Sequence, residues 1–173
     1  TRYILEVVRD VEVSPKGNVP QFEKKVDDEN DSVADDPKTT DKTEGEDGKD
    51  WQDSADYDIG DAVPFQLTAT LAANVSAYLK YKVVFHDTMS AGLTYDPGSY
   101  KVYLDSVAEE NEVTSHFTPA YNETTGKLTF TCENVKAFDA TDNSVIIVEF
   151  TATLNENAEI GYVGNPNYVY LEY

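Results

Sequence analysis

Asp87 is the residue from which the chemistry of this chain has to be argued. In residues 81–95, YKVVFHDTMSAGLTY, the first half alternates, so that Tyr81, Val83, Phe85 and Asp87 share one face of a predicted strand while Lys82, Val84 and His86 share the other. A carboxylate therefore ends an apolar row, and burying it is costly unless it is protonated or paired. Two further polar residues stand in apolar rows. In residues 21–27 (QFEKKVD) Lys24 is in phase with Phe22 and Val26, whereas Lys25 falls with Glu23 and Asp27 on the solvated face. In residues 167–173 (NYVYLEY) Asn167 is in phase with Val169 and Leu171, opposite Tyr168, Tyr170 and Glu172. An acid, an amine and an amide are thus each offered to the interior. Each also has an ordinary reading: Asp87 as the former of the turn beginning at Thr88, Lys24 as a snorkelling amine, Asn167 as the cap of an Asn165-Pro166 turn. Parity favours Lys24 over Lys25, and place in the strand favours Asn167 over Asn165. A bulge would reverse either assignment.

The elements that must position these residues are strands. Residues 3–13 (YILEVVRDVEV) are rich in Ile, Val and Tyr and are broken by Ser14-Pro15-Lys16-Gly17-Asn18. Residues 62–71 place Val63, Phe65, Leu67, Ala69 and Leu71 on one face, with Pro64 marking a strand start or an edge. Residues 74–79 read as one helical turn, 96–98 (DPG) as a turn, 100–104 as a strand, 112–118 as a weak strand, and 122–126 as a turn into the strand 127–132. Residues 144–154 (SVIIVEFTATL) are the most β-branched stretch. Short strands at this spacing, punctuated by Gly, Pro and Asn, predict an all-β chain: an immunoglobulin-like antiparallel β-sandwich of Greek-key type. Residues 1–18 read as a lead-in strand and linker, or the end of a preceding domain, and 19–173 as the sandwich.

Residues 27–56 interrupt this pattern with thirteen Asp or Glu against three Lys and little to bury besides Val33 and Trp51. That predicts a long, mobile acidic loop insertion. Its DDENDSVADD run has the carboxylates for calcium but not the EF-hand spacing, so a solvated charge run is the preferred reading and no resident metal or cofactor is expected.

With 173 residues the chain suits one domain or a domain with an appended piece. A formal net charge of -20 argues against nucleic acid or an anionic membrane as partner. The single Cys132 excludes an internal disulfide and, in phase with Leu128 and Phe130, reads as a buried inert thiol; with only His86 and His116 there is no zinc-type set. No apolar run is long enough to span a bilayer, and no signal-peptide pattern opens the chain, which reads as a piece of a longer polypeptide.

The motifs PQFEKKV, ADYDIGDAVPFQLTATL, YKVVFHDTMSAGLTY, VIIVEFTATLN and GNPNYVYLEY, in this order, resemble the isopeptide-forming domains of Gram-positive sortase-assembled pilins and surface adhesins, in particular the fimbrial isopeptide formation D2 type. The resemblance covers residues 11–173. It implies a sandwich in which a first-strand Lys and a last-strand Asn condense into a side-chain amide with the help of a buried acid. On this chain these are Lys24, Asn167 and Asp87. The chemistry suits the residue types: burial disfavours the ammonium and leaves a nucleophilic amine, while the same apolar site keeps a carboxylic acid protonated to stabilise the oxyanion. Glu149 is the alternative acid, since related domains of another subclass use a glutamate, but it is out of phase with Ile146, Val148 and Phe150. A shorter resemblance links DVEVSPKGN to the pilin motif, whose lysine sortase uses to join subunits; that lysine would be Lys16, although Ser14 replaces the family's aromatic and the phrase also reads as an interdomain linker.

The resemblance implies a structural stalk or shaft module of a pilus or cell-wall adhesin, extracellular and cell-wall anchored, with neighbouring domains or pilus subunits as partners. Such a module is no enzyme beyond its single-turnover crosslink. The alternative is an adhesin module that binds a host glycan or protein through its loops or through Tyr168, Tyr170 and Tyr173. A hydrolase is disfavoured, because no Ser-His-Asp or paired-carboxylate motif stands out.

Overall fold

Alternating burial along the long central strands is the signature of the architecture, in which two sheets pack face to face. The structure is a computed structural model that describes residues 3–9, 19–27, 43–44, 49–159 and 164–173. It is all-β apart from short 3-10 turns, among them Val75–Ala77 where the helical turn was expected. The strands are β1 (Tyr3–Arg9), β2 (Gln21–Asp27), β3 (Thr43–Glu44), β4 (Asp50–Gln52), β5 (Ser54–Tyr57), β6 (Ala62–Thr70), β7 (Val83–Met89), β8 (Leu93–Tyr95), β9 (Lys101–Leu104), β10 (Thr118–Asn122), β11 (Lys127–Cys132), β12 (Val145–Leu154) and β13 (Asn167–Glu172).

One sheet runs β10-β11-β7-β13-β1-β5 and the other β3-β4-β2-β6-β12, with both β8 and β9 pairing with β12. The pairings are antiparallel except that of β1 with β13, which is parallel, with Val7 opposite Asn167. This is the predicted immunoglobulin-like sandwich, with an N-terminal strand added beside the C-terminal one.

β6 and β12 supply the floor of the core. Val63, Phe65, Leu67 and Ala69 point inward from β6, and Ile146, Val148, Phe150, Ala152 and Leu154 from β12, as their period of two requires. Phe65 stacks on Phe150 with ring centroids 5.4 Å apart, and Phe130 of the facing sheet meets Phe150 at 5.5 Å. Cys132 lies buried in this core, where burial pushes its thiol pKa up, so it is the inert thiol its phase suggested.

Three local expectations are corrected. The weak strand over residues 112–118 is not formed: Glu112 makes only an isolated bridge to Tyr103, Thr114–His116 is a 3-10 turn, and the strand begins at Thr118. The backbone there is claimed by β9 instead, since Val113 N donates to Val102 O and Val102 N donates to Thr114 Oγ1. The C-terminal part of the acidic stretch is not loop: β4 and β5 lie in it, because Trp51 and Ala55 are buried under the sandwich. Asp27, expected in solvent, is fully buried at the end of β2, where Tyr57 Oη donates to its carbonyl. Most of the charge run itself, with the DDENDSVADD carboxylates after Asp27, lies outside the described residues, as does Lys16.

Candidate functional site: a buried amine, acid and amide between the sheets

Lys24 leaves β2 between Phe22 and Val26 and lies opposite Leu67 of β6, in the row that faces the core. Its neighbour Lys25 takes the outer face and pairs with Asp53 at 2.8 Å and Glu23 at 3.2 Å. Only 1% of Lys24 is exposed. Its Nζ sits 4.3 Å from the centroid of the Phe65 ring and 5.4 Å from that of Phe150, so aromatic faces stand where water would otherwise solvate the amine.

Asp87 comes from the other sheet. It is no turn former: β7 continues to Met89, and Asp87 is held on both sides, opposite Leu128 of β11 and Val169 of β13. The reading of Asp87 as the start of a turn is therefore overturned by the ladder that passes through it. The side chain is buried and accepts a hydrogen bond from Lys24 Nζ at 2.5 Å, which joins the two sheets. Its second oxygen, Oδ1, has no hydrogen-bond partner.

Asn167 is the first residue of β13, opposite Met89 of β7 and Val7 of β1. It is also buried, and neither its Oδ1 nor its Nδ2 makes a hydrogen bond, although the amide lies close enough to the Asp87 carboxyl to favour its charged form. Buried amides without partners are uncommon and cost about 1–3 kcal/mol per polar group. Lys24 and Asn167 thus both adjoin Asp87.

Burial dominates the electrostatics. Desolvation pulls the Lys24 pKa below its ordinary value, against the attraction and hydrogen bond of Asp87. Desolvation likewise pushes Asp87 up, against Lys24 and then Asn167. Both directions favour a neutral amine beside a protonated acid, because two charges removed from water regain little by pairing. A primary amine, a carboxyl and a carboxamide gathered away from water are the groups that an amide exchange would need.

Glu149 is not brought to this place. It lies on the outer face of β12, where Gln66 Nε2 donates to it at 3.0 Å and Lys49 Nζ at 3.4 Å, and it lines a cleft of about 200 Å³ with Ser99, Lys101 and Thr151. Asn165, the other amide considered, is buried but committed elsewhere: its Oδ1 accepts from Glu159 N and its Nδ2 donates to Glu159 O. Phe65 and Phe150, which wall the amine, were legible only as core positions. Among the described residues no group of three metal-ligating side chains occurs, and no helix is long and apolar enough to cross a membrane.

No protein-family model matches the sequence. No curated protein matches it either. Solved structures do share its fold. The pilus backbone protein RrgB from Streptococcus pneumoniae superposes with a TM-score of 0.57 at 20% identity, over 89% of this chain and 31% of that one. The major pilin subunit BcpA of Bacillus cereus gives 0.51 at 14% identity, over 83% of this chain and 32% of that one. The C-terminal domain of the Streptococcus agalactiae AgI/II polypeptide BspA gives 0.55 at 14% identity, over 88% of this chain and 46% of that one. The chain thus spans from about a third to just under half the length of these structures, and its fold is that of Gram-positive pilin domains.

Proposed function

We propose that this chain is a load-bearing module of a Gram-positive surface pilus or adhesin stalk, locked by a spontaneous amide bond between Lys24 and Asn167. The observation that carries the reading is the inter-sheet contact of Lys24 with Asp87, fully buried and flanked by the unpartnered Asn167 amide. The shared fold with pilin domains supports it.

In this reading neutral Lys24 Nζ attacks Asn167 Cγ. The Asp87 carboxyl donates a hydrogen bond to Oδ1, on which negative charge develops, and the attacking nitrogen's proton passes to Nδ2. The Cγ–Nδ2 bond breaks, ammonia leaves, and a secondary amide joins β2 to β13. No other reactant is consumed. Positioning contributes much of the acceleration, since groups held in near-attack geometry reach effective molarities of about 10⁵ to 10⁸ M. The reaction occurs once per molecule, so the product is a fastened fold and not a turned-over substrate.

Residues 19–173 would be the locked unit, residues 1–18 its entry strand, paired with β13 and β5, and a linker, and Lys16 the site of sortase joining. Such a module works outside the cell, anchored to the wall through its parent polypeptide, in contact with neighbouring domains or subunits. The test is the intact mass of the folded protein: a mass lower by one ammonia than that of the sequence is expected, and a full unmodified mass from folded protein would refute the crosslink.

A second reading as a ligand-binding module draws on the outer face of β13, where Tyr168 and Tyr170 are exposed and His86 stacks on Tyr170 at 4.2 Å. Binding to host glycans that is lost in Tyr168→Ala and Tyr170→Ala, with the fold intact, would favour it.

A further inference from the structure

The reacting amide belongs to the first residue of its strand, so its place depends on how the chain is delivered to β13. A slip of one residue would turn Asn167 outward, onto the face of Tyr168 and Tyr170, each 51% exposed. The ladders to β7 and β1 carry this register along the strand, and the segment just upstream delivers Asn167 into it.

We infer that Asn165 is a positioning residue for Asn167, packed against a glycine whose place no side chain could take. The inference rests on the proposed crosslink for its function, though not for its geometry. Asn165 is 2% exposed, and its amide spans Glu159 with two hydrogen bonds, accepting from the backbone N at 3.0 Å and donating to the backbone O at 3.2 Å. This closes the chain between β12 and β13 at a fixed point. The side chain lies against Gly92: a Cβ there would stand 2.3 Å from Asn165 Oδ1 and 2.7 Å from Ala158 Cα. No other residue fits without moving the amide and the Ala158 backbone beside it.

The Gly92 turn is itself anchored. Asn155 N donates to Gly92 O at 2.8 Å and Asn155 Nδ2 to Ala91 O at 2.9 Å, which ties the turn to the end of β12. Ser90 N donates to Pro166 O at 3.1 Å, immediately before Asn167. Pro166 fixes its own φ and biases Asn165 to extended backbone. Asn165, Pro166 and the Ser90–Gly92 turn therefore form a guide that presents Asn167 opposite Met89, two residues along the ladder from the pairing of Val169 with Asp87. The Asn165 amide spends its hydrogen bonds on Glu159 and not on the reacting groups, so it acts through the register.

The test uses the full chain, made by cell-free synthesis so that ammonia loss can be followed in time by intact mass. Asn165→Ala and Gly92→Ala are each expected to slow crosslinking about tenfold or more, since misplacement by about 1 Å can cost about 100-fold. The double variant should be no slower than the slower single one, because both break the same clamp. Asn165→Asp, which keeps the oxygen that accepts from Glu159 N, should recover part of the rate. A rate unchanged in Asn165→Ala, or slowing that multiplies in the double variant, would overturn the inference. Amide hydrogen exchange on the Lys24→Ala background, which cannot crosslink, reads the clamp independently. Adding Asn165→Ala there should speed exchange at the start of β13 and leave β6 and β12 unchanged. Unaltered exchange rejects the clamp even if the parent chain never loses ammonia, whereas a parent that keeps its full mass while exchange responds rejects only the crosslink.

Discussion

Lys24 Nζ of one sheet stands 2.5 Å from Asp87 Oδ2 of the other, with both side chains wholly shielded from solvent. Such a pair is poor evidence for stability, because the desolvation of two charges can exceed their attraction. Its value is chemical: the same desolvation favours the neutral amine and the protonated acid that the proposed reaction needs.

Asp87→Ala should leave the sandwich folded and Lys24 unreacted with Asn167. β7 is held by Val83, Phe85 and Met89, which are buried independently of the acid. Intact mass and circular dichroism together check this, and Glu149→Gln is the control expected to retain the ammonia loss. Crosslinked Asp87→Ala would move the acid role away from Asp87.

Asn167→Ala keeps the amine and the acid but cannot form the bond. A crosslink between residues 24 and 167 closes a loop of about 140 residues, for which the disulfide analogy gives about 5 kcal/mol as an upper guide. The variant is expected to melt well below the parent, by calorimetry. Equal melting temperatures would mean that the crosslink is absent or carries no stability.

The same variant should reveal the pair through its pH dependence. Asp87 is held above its ordinary 3.8, so from there up to its raised value the folded state binds more protons than the unfolded, and stability falls as pH rises. Lys24 is held below its ordinary 10.5, so between its lowered value and 10.5 the folded state binds fewer protons, and stability rises with pH. Adding Asp87→Asn to Asn167→Ala should remove the acid-side fall, read as the difference between the two denaturation curves so that other carboxylates cancel. A fall that persists in the double variant would assign it to another group.

β1 runs beside β13 yet precedes Lys24, so it lies outside any loop that a 24–167 bond closes. Under tension applied at the two ends, the parent chain should yield only the residues before Lys24 and after Asn167, about 100 Å at roughly 3.4 Å per residue. Single-molecule pulling should show that short extension in the parent and full unfolding in Asn167→Ala. Full unfolding of the parent would contradict a covalent lock.

Calcium should leave the melting temperature unchanged at moderate salt if the acidic run after β2 is simply solvated. A saturable rise that disappears on deletion of residues 28–42 would make the run a metal site.

The periodicity of two was legible along β2, β6, β7, β12 and β13, because each strand has one face on a dry core and local alternation reports which residues face it. That placed the side chains of Lys24, Asp87 and Asn167 on inward rows, although for Asp87 local chemistry favoured a turn, and only the ladders to β11 and β13 decided against it. Local pattern carries no information about which strand packs across from which. The meeting of Lys24 with Asp87, the aromatic walls from Phe65 and Phe150, and the commitment of Asn165 to Glu159 and Gly92 are all contacts between residues far apart in sequence. The same limit explains Asp27 and Trp51: charge density made their surroundings read as solvated loop, whereas packing of β4 and β5 against the end of β2 buries both. Sequence determined the faces; the juxtaposition of the two sheets decided which polar groups share a site.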